Sequence, residues 1–298
     1  MPDIKATDIN NIQNKVENIL GTGSASFGYG QTVLSSDVTA GQIITKDQWD
    51  AVRFDLYNVL YHQTGTPPGT ASLVQIAPGQ VIDDDAGEPL QNYDFQASNA
   101  ENNRFDVGLF TLDNNAATTG EVSVTFSSAA SAELTVTFPT SNDARYFFNS
   151  GGKIRLLSKF TPTGSDQQST AWQTFLGTIG DRDFTGQFIA ATGWYNLTNS
   201  YIQYFQSSNS TPYSANNYRL EAKTDVANNS TGTARILTIK ISLNDSYADP
   251  GPPAPGDSVS GKVEIIAKEI KATGTLAPSG DPFAISGPTY SFSGITTS

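Results

Sequence analysis

Val122-Ser-Val-Thr-Phe126-Ser-Ser-Ala-Ala-Ser131-Ala-Glu-Leu134-Thr-Val136-Thr-Phe138 is the stretch on which the reading of this chain turns. Val122, Val124 and Phe126 alternate with Ser and Thr, the small polar run Ser127 to Ser131 intervenes, and Leu134, Val136 and Phe138 alternate again. Successive residues of a strand point to opposite faces, so a period of two marks one buried and one wet face. The stretch predicts a β-hairpin with a short polar loop. Further along, Tyr218, Leu220 and Ala222 alternate with Arg219, Glu221 and Lys223, and Leu237, Ile239, Ile241 and Leu243 with Thr238, Lys240 and Ser242. These are strands of antiparallel sheets buried on one side. With Gly, Asn and Ser turns between them, they predict a mainly β fold, an antiparallel β-sandwich or jelly-roll-like domain over residues 105–298.

Toward the N-terminus the period changes. Ile9, Ile12, Val16, Ile19 and Leu20 recur at helical spacing, with Thr7 or Asp8 as cap and Gly21 as stop. Gly21 to Gly41, rich in Gly and Ser and carrying Phe27 and Tyr29, reads as an extended arm ordered by whatever it lies against. Thr45-Lys-Asp-Gln48 is a capping box that opens a second helix with Trp49, Val52, Leu56, Val59 and Leu60 on one face, ending before Gly65 and Pro67-Pro68. Both helices repeat the same apolar offsets, the narrow stripe of helices that pack on each other or on a neighbouring subunit. Residues 1–66 are therefore expected to form a helical attachment and oligomerisation region, docking through Ile9, Ile12, Val16, Ile19, Trp49, Val52, Leu56, Val59 and Leu60. Packing within the chain is the plainer alternative. Residues 67–104 form a connector in which Leu73 to Val81 supplies a strand or packs across a face.

Around Arg145 the aromatics Tyr146, Phe147 and Phe148 alternate in direction if the segment is extended, which reads as a central strand turned by Asn149 to Gly152 into a second one. The run Asp249 to Asp257, dense in Pro and Gly, cannot join a sheet ladder and is expected as an extended surface loop.

Composition narrows the function classes. With 29 acidic against 17 basic residues and a net charge of -12, phosphate contacts are disfavoured, so no nucleic acid partner is expected. The absence of cysteine excludes thiol nucleophiles and Cys-based zinc sites. The N-terminus has no apolar stretch of signal length and no run approaches a membrane span, so synthesis in the cytoplasm and no membrane partner are expected. The one histidine, His62, sits at a predicted helix end, where a cap or polar contact accounts for it better than a general base. Asp83, Asp84, Asp85 and Glu88 cluster without the alternation of a calcium loop. No catalytic, metal or cofactor residues are nominated, and the chain is expected not to be an enzyme.

Three segments form a split signature: Gly28-Tyr-Gly-Gln31 ahead of the helix with Trp49 and His62, Ala144-Arg-Tyr-Phe-Phe-Asn-Ser-Gly-Gly152, and Asp245-Ser-Tyr-Ala-Asp-Pro-Gly-Pro-Pro-Ala-Pro-Gly-Asp257. Together they resemble the virion structural proteins of contractile-tailed bacteriophages, above all those of cyanobacteria. The resemblance implies a non-enzymatic building block of the particle near the neck or tail, a fibre, collar or decoration. Its partners would be copies of itself, a trimer being favoured, and other virion proteins. The alternatives are a capsid decoration protein or a receptor-binding protein whose loops, such as Ser207 to Asn217, contact host surface glycan with Trp194, Tyr213 and Tyr218.

Overall fold

The computed structural model describes residues 5–80, 82, 89–187, 192–247 and 259–298. The chain folds into two units that interleave in sequence. The first is Met1–Thr111, Asn142–Gly152 and Lys271–Gly287, and the second is Leu112–Ser141, Lys153–Ile270 and Pro288–Ser298. The first unit thus runs past residue 66 and through the expected connector, and it draws in two later segments.

In the first unit, helix α1 (Ala6–Leu20) packs on α2 (Lys46–Thr64) and on α3 (Pro89–Asn102). The capping box of α2 is present: the Thr45 hydroxyl accepts from Gln48 N at 3.2 Å and Thr45 N donates to Gln48 Oε1 at 3.0 Å. In α1 the cap lies earlier than expected. Lys5 is the N-cap, and its N–H donates to the Asp8 carboxylate at 2.8 Å. The apolar stripes of α1 and α2 are buried, and α3 repeats their offsets with Leu90, Tyr93, Ala97 and Ala100. Trp49 meets Tyr93 with ring centroids 4.5 Å apart. The plainer alternative therefore describes the stripe: the side chains nominated for docking between subunits lie in the interior of this unit. Leu73 and Ile76 are buried in irregular chain, and residues 73–80 form no strand; Val81 lies outside the described residues.

The expected central strand around Tyr146 is a helix, α4 (Ser141–Asn149). Ala144, Phe147 and Phe148 are its buried apolar positions, at the i, i+3, i+4 spacing of one helix face. Three adjacent aromatics read equally as a two-sided strand, and this triplet decides against it. The helix stops at Gly151, where φ is +84° and the Gly152 N–H returns to Phe147 O at 2.8 Å.

The second unit holds two antiparallel sheets, a mostly β architecture in which helix α5 (Gln167–Ile179) packs on strand β4 (Lys153–Pro162). One sheet orders β10 (Thr289–Phe292), β3 (Ala129–Thr137), β8 (Ile236–Asn244), β7 (Asn217–Thr224) and β6 (Ile202–Ser208), with β11 (Thr296–Thr297) also on β3. The other orders β1 (Phe110–Thr118), β9 (Val259–Ala272), β4 and β5 (Arg182–Phe184), with β2 (Val122–Phe126) also on β9. The alternating strands behave as read: Tyr218, Leu220, Ala222, Leu237, Ile239 and Ile241 are all buried.

The hairpin does not form. β2 pairs with β9, from Val122↔Val263 to Phe126↔Val259, whereas β3 pairs with β8, so the chain changes sheets at Ser127-Ser128. Alternation fixes which side chains are buried but not which strand is the partner. Ser-Ser also lacks the Gly or Asn that a two-residue hairpin turn requires. Buried side chains of the two sheets meet, with Ser158 Oγ on β4 2.8 Å from Tyr218 OH on β7.

Candidate functional site

Two of the three signature segments come together in the first unit. The arm that follows α1 folds back on that helix, with Tyr29 N donating to Ile19 O and Gln31 N to Leu20 O at 2.8 and 2.9 Å. Its irregular backbone is held from α4. Asn149, wholly buried, directs its Nδ2 at Ala25 O (3.2 Å), Phe27 O (2.7 Å) and Gly28 O (3.1 Å). Arg145 donates from Nη2 to Thr22 O at 3.0 Å, and Arg104, just past the end of α3, donates from Nε to Ser26 O at 3.0 Å. Gly30 sits at φ +70° with its Cα against Tyr146, and a Cβ there would come 2.4 Å from the Tyr146 ring. The glycine of one segment is thus fitted to the aromatic of the other.

Tyr29 and His62 form the buried centre of this clasp. The Tyr29 hydroxyl donates to Arg104 O at 2.8 Å and accepts from Gln63 Nε2 at 2.8 Å, and burial holds its pKa well above the usual tyrosine range. The His62 ring stacks on Phe283 with centroids 4.4 Å apart, and its Nε2 lies 2.9 Å from Ser150 O. A carbonyl can only accept, so the neutral ring carries its proton on Nε2. Burial pushes the His62 pKa down to about 4, against the opposing effect of the Ser150 hydrogen bond. His62 is 1% exposed, so a substrate has no access to it. The sequence placed it at a helix end with a polar contact, and both hold, but the contact is to the turn that closes α4.

The same device recurs along the arm. The Asp55 carboxylate, itself buried, accepts from Leu34 N and Ser35 N at 3.0 and 2.8 Å. Burial raises its pKa and these bonds lower it. Asn10 pairs both ways with the backbone of Val38, Gln31 with Ala284, and Asn58 with Ala277, at 2.7 to 3.1 Å. A cleft of about 330 Å³ beside these pairs is lined by Gln31, Asn58, Ala277 and Asp281, with both amides already paired. Apart from Gln31, the sequence reading missed these residues, and in a chain so rich in Asn and Gln no spacing singles them out.

Of the aromatics nominated for glycan, Trp194 and Tyr218 are 0% and 1% exposed, so neither presents a ring face to a ligand. Trp194 lies edge-on to Phe138, and Tyr218 has the Ser158 bond. Tyr213 is half-buried with its ring 4.9 Å from Tyr247. The start of the third signature segment is also fixed internally. Asp245 accepts from Gln168 Nε2 at 2.8 Å, and Asn216 Oδ1 accepts from Ser246 N and Tyr247 N. The Asp249 to Asp257 run and the Asp83 to Glu88 cluster lie outside the described residues. Among the described residues no group of His, Asp and Glu is placed to hold a metal ion, and no helix is long and apolar enough to cross a membrane.

No protein family, curated protein or solved structure matches this chain.

Proposed function

We propose that this chain is a structural protein of a contractile-tailed bacteriophage particle, acting without covalent chemistry at the neck or tail as a fibre, collar or decoration. The observation that carries the reading is the use made of the segments on which the resemblance rests. Gly28 to Gln31 and Ala144 to Gly152 meet in one buried clasp whose polar groups are directed at the chain's own backbone. Such residues maintain an architecture, which is what a particle component requires. The second unit is read as a β-sandwich, supported by the buried Ser158–Tyr218 bond between its two sheets. Copies of this chain and other virion proteins are its partners, contacted through surfaces other than the buried α1 and α2 stripe.

The test is an antibody raised against the purified chain and applied to density-banded particles of contractile-tailed cyanobacterial phages. Labelling of neck or tail in electron micrographs, with the chain present in the particle's protein complement, is expected. A chain found only in the unassembled fraction of the lysate overturns the reading.

A further inference from the structure

In the second unit, the last turns of α5, the start of β5 and the end of β6 border a groove of about 490 Å³ whose polar lining includes Thr174, Thr178, Arg182, Ser207, Asn209 and Ser210. We propose that this groove binds a carboxylate-bearing saccharide, a uronate. The inference goes beyond the particle-protein reading and does not depend on it.

Arg182 supplies the charge. Its guanidinium carbon lies 4.4 Å from the centre of the Phe205 ring, a flat support that fixes its plane. Its Nε is buried without a hydrogen-bond partner, and its guanidinium joins no ion pair among the described residues. The carboxylates next to it in sequence are already engaged: Asp183 with Arg155 at 2.6 Å, and Asp181 with Arg155 and Lys268 at 3.4 and 3.5 Å. A cation without a carboxylate partner, in a chain of net charge -12, is an unmet demand for an anion. Asn209 adds to it. This side chain is 8% exposed, its Oδ1 accepts from Ser210 N at 2.8 Å, and its Nδ2 has no partner.

The helix side of the groove has the opposite character. Thr174 and Thr178 donate their hydroxyl protons back to Thr170 O and Thr174 O at 3.2 and 3.0 Å, which leaves acceptor lone pairs outward. A fitting ligand carries an anionic acceptor at one end and hydroxyl donors at the other. A neutral sugar lacks the first and inorganic phosphate offers little of the second, whereas a uronate has both. The volume is in the ordinary range for small-ligand sites, roughly 300–1,000 Å³. The loop Ser207 to Asn217, which the sequence offered for glycan contact, supplies Ser207, Asn209 and Ser210; the sequence reading missed Arg182 and the helix side, although the Thr170, Thr174, Thr178 spacing marks one helix face.

The experiment is ligand-observed NMR titration of the full chain with sodium glucuronate, glucose and inorganic phosphate as separate probes. Glucuronate is expected to bind at least about tenfold more tightly than either control, a difference of ~1.4 kcal/mol. Arg182→Gln should abolish that preference. Thr178→Phe, on an exposed position at the groove's edge, should block binding while leaving the far-ultraviolet circular dichroism unchanged, so the test survives if Arg182→Gln fails to fold. Binding of glucose or phosphate as tight as glucuronate, glucuronate binding that persists in Thr178→Phe, or no binding by the native chain overturns the proposal.

Discussion

Where β3 meets β8, nine consecutive residue pairs run in register from Ala129↔Asn244 to Thr137↔Ile236, whereas Val38, Ala284 and Ala277 of the first unit each find their partner in one side-chain amide. Buried backbone groups must be paired in either case. A ladder does this with groups that every residue owns, so the sequence needs only a period and β-branched residues, and many substitutions leave it intact. The clasp depends on particular side chains at particular positions. Asn149 serves three carbonyls and Asp55 serves two amides, so losing one group strands several. The second unit is specified by pattern and the first by identity.

That contrast can be broken or sharpened by substitution. The largest effect is expected from Leu56→Asp, which places a carboxylate at a position with 0% exposure among α1, α2 and α3. It should cost about 4 kcal/mol or more and unfold the first unit, read by denaturant titration. A variant that stays folded and changes only its association state by light scattering would return the stripe to a docking role. Acid comes next. His62 is held neutral down to about pH 4 while an exposed histidine takes its proton near 6.5, so the unfolded chain binds the extra proton between those values. Stability present above pH 6.5 should therefore fall by up to about 3 kcal/mol as the pH drops to 4. Asp55, with its raised pKa, acts with the opposite sign. The measurement is therefore the difference in pH slope between the native chain and His62→Gln. Equal slopes would contradict the buried neutral ring.

Smaller effects belong to the patterned unit. Ile239→Val, a one-methylene loss at a fully buried β8 position, should cost about 1 kcal/mol in the same titration. Lys159→Ala removes a partly exposed pair with Glu264 across β4 and β9 and should change stability by less than about 0.5 kcal/mol. A large loss from either would mean that the ladders also depend on identity.

The same difference explains what could be read before the structure. Strands β3, β7 and β8 were legible because alternation at Leu134, Leu220 or Ile239 is a one-dimensional signal, and α1 and α2 because their offsets recur with recognisable caps. α3 was not, since two of its four stripe positions are alanine and Phe95 is 61% exposed on its far side. α4 was misread because Tyr146, Phe147 and Phe148 satisfy two periods at once. The partner of β2 was hidden because register is set by chain 133 to 141 residues away at β9. The clasp was not legible: the arm was read as ordered by whatever it lies against and Ala144 to Gly152 as a strand and turn, and their common purpose is a contact that spacing does not encode.

The central claim, that these two segments are one clasp, is tested most directly by amide hydrogen exchange on the native chain and on Asn149→Ala. Loss of the Nδ2 donor leaves the carbonyls of Ala25, Phe27 and Gly28 without it, at a cost of about 2–3 kcal/mol. Faster exchange is expected at Tyr29, Gly30 and Gln31, whose amides bond to the end of α1 and its cap, with β7 and β8 unchanged. Exchange in the arm equal to that of the native chain would contradict it.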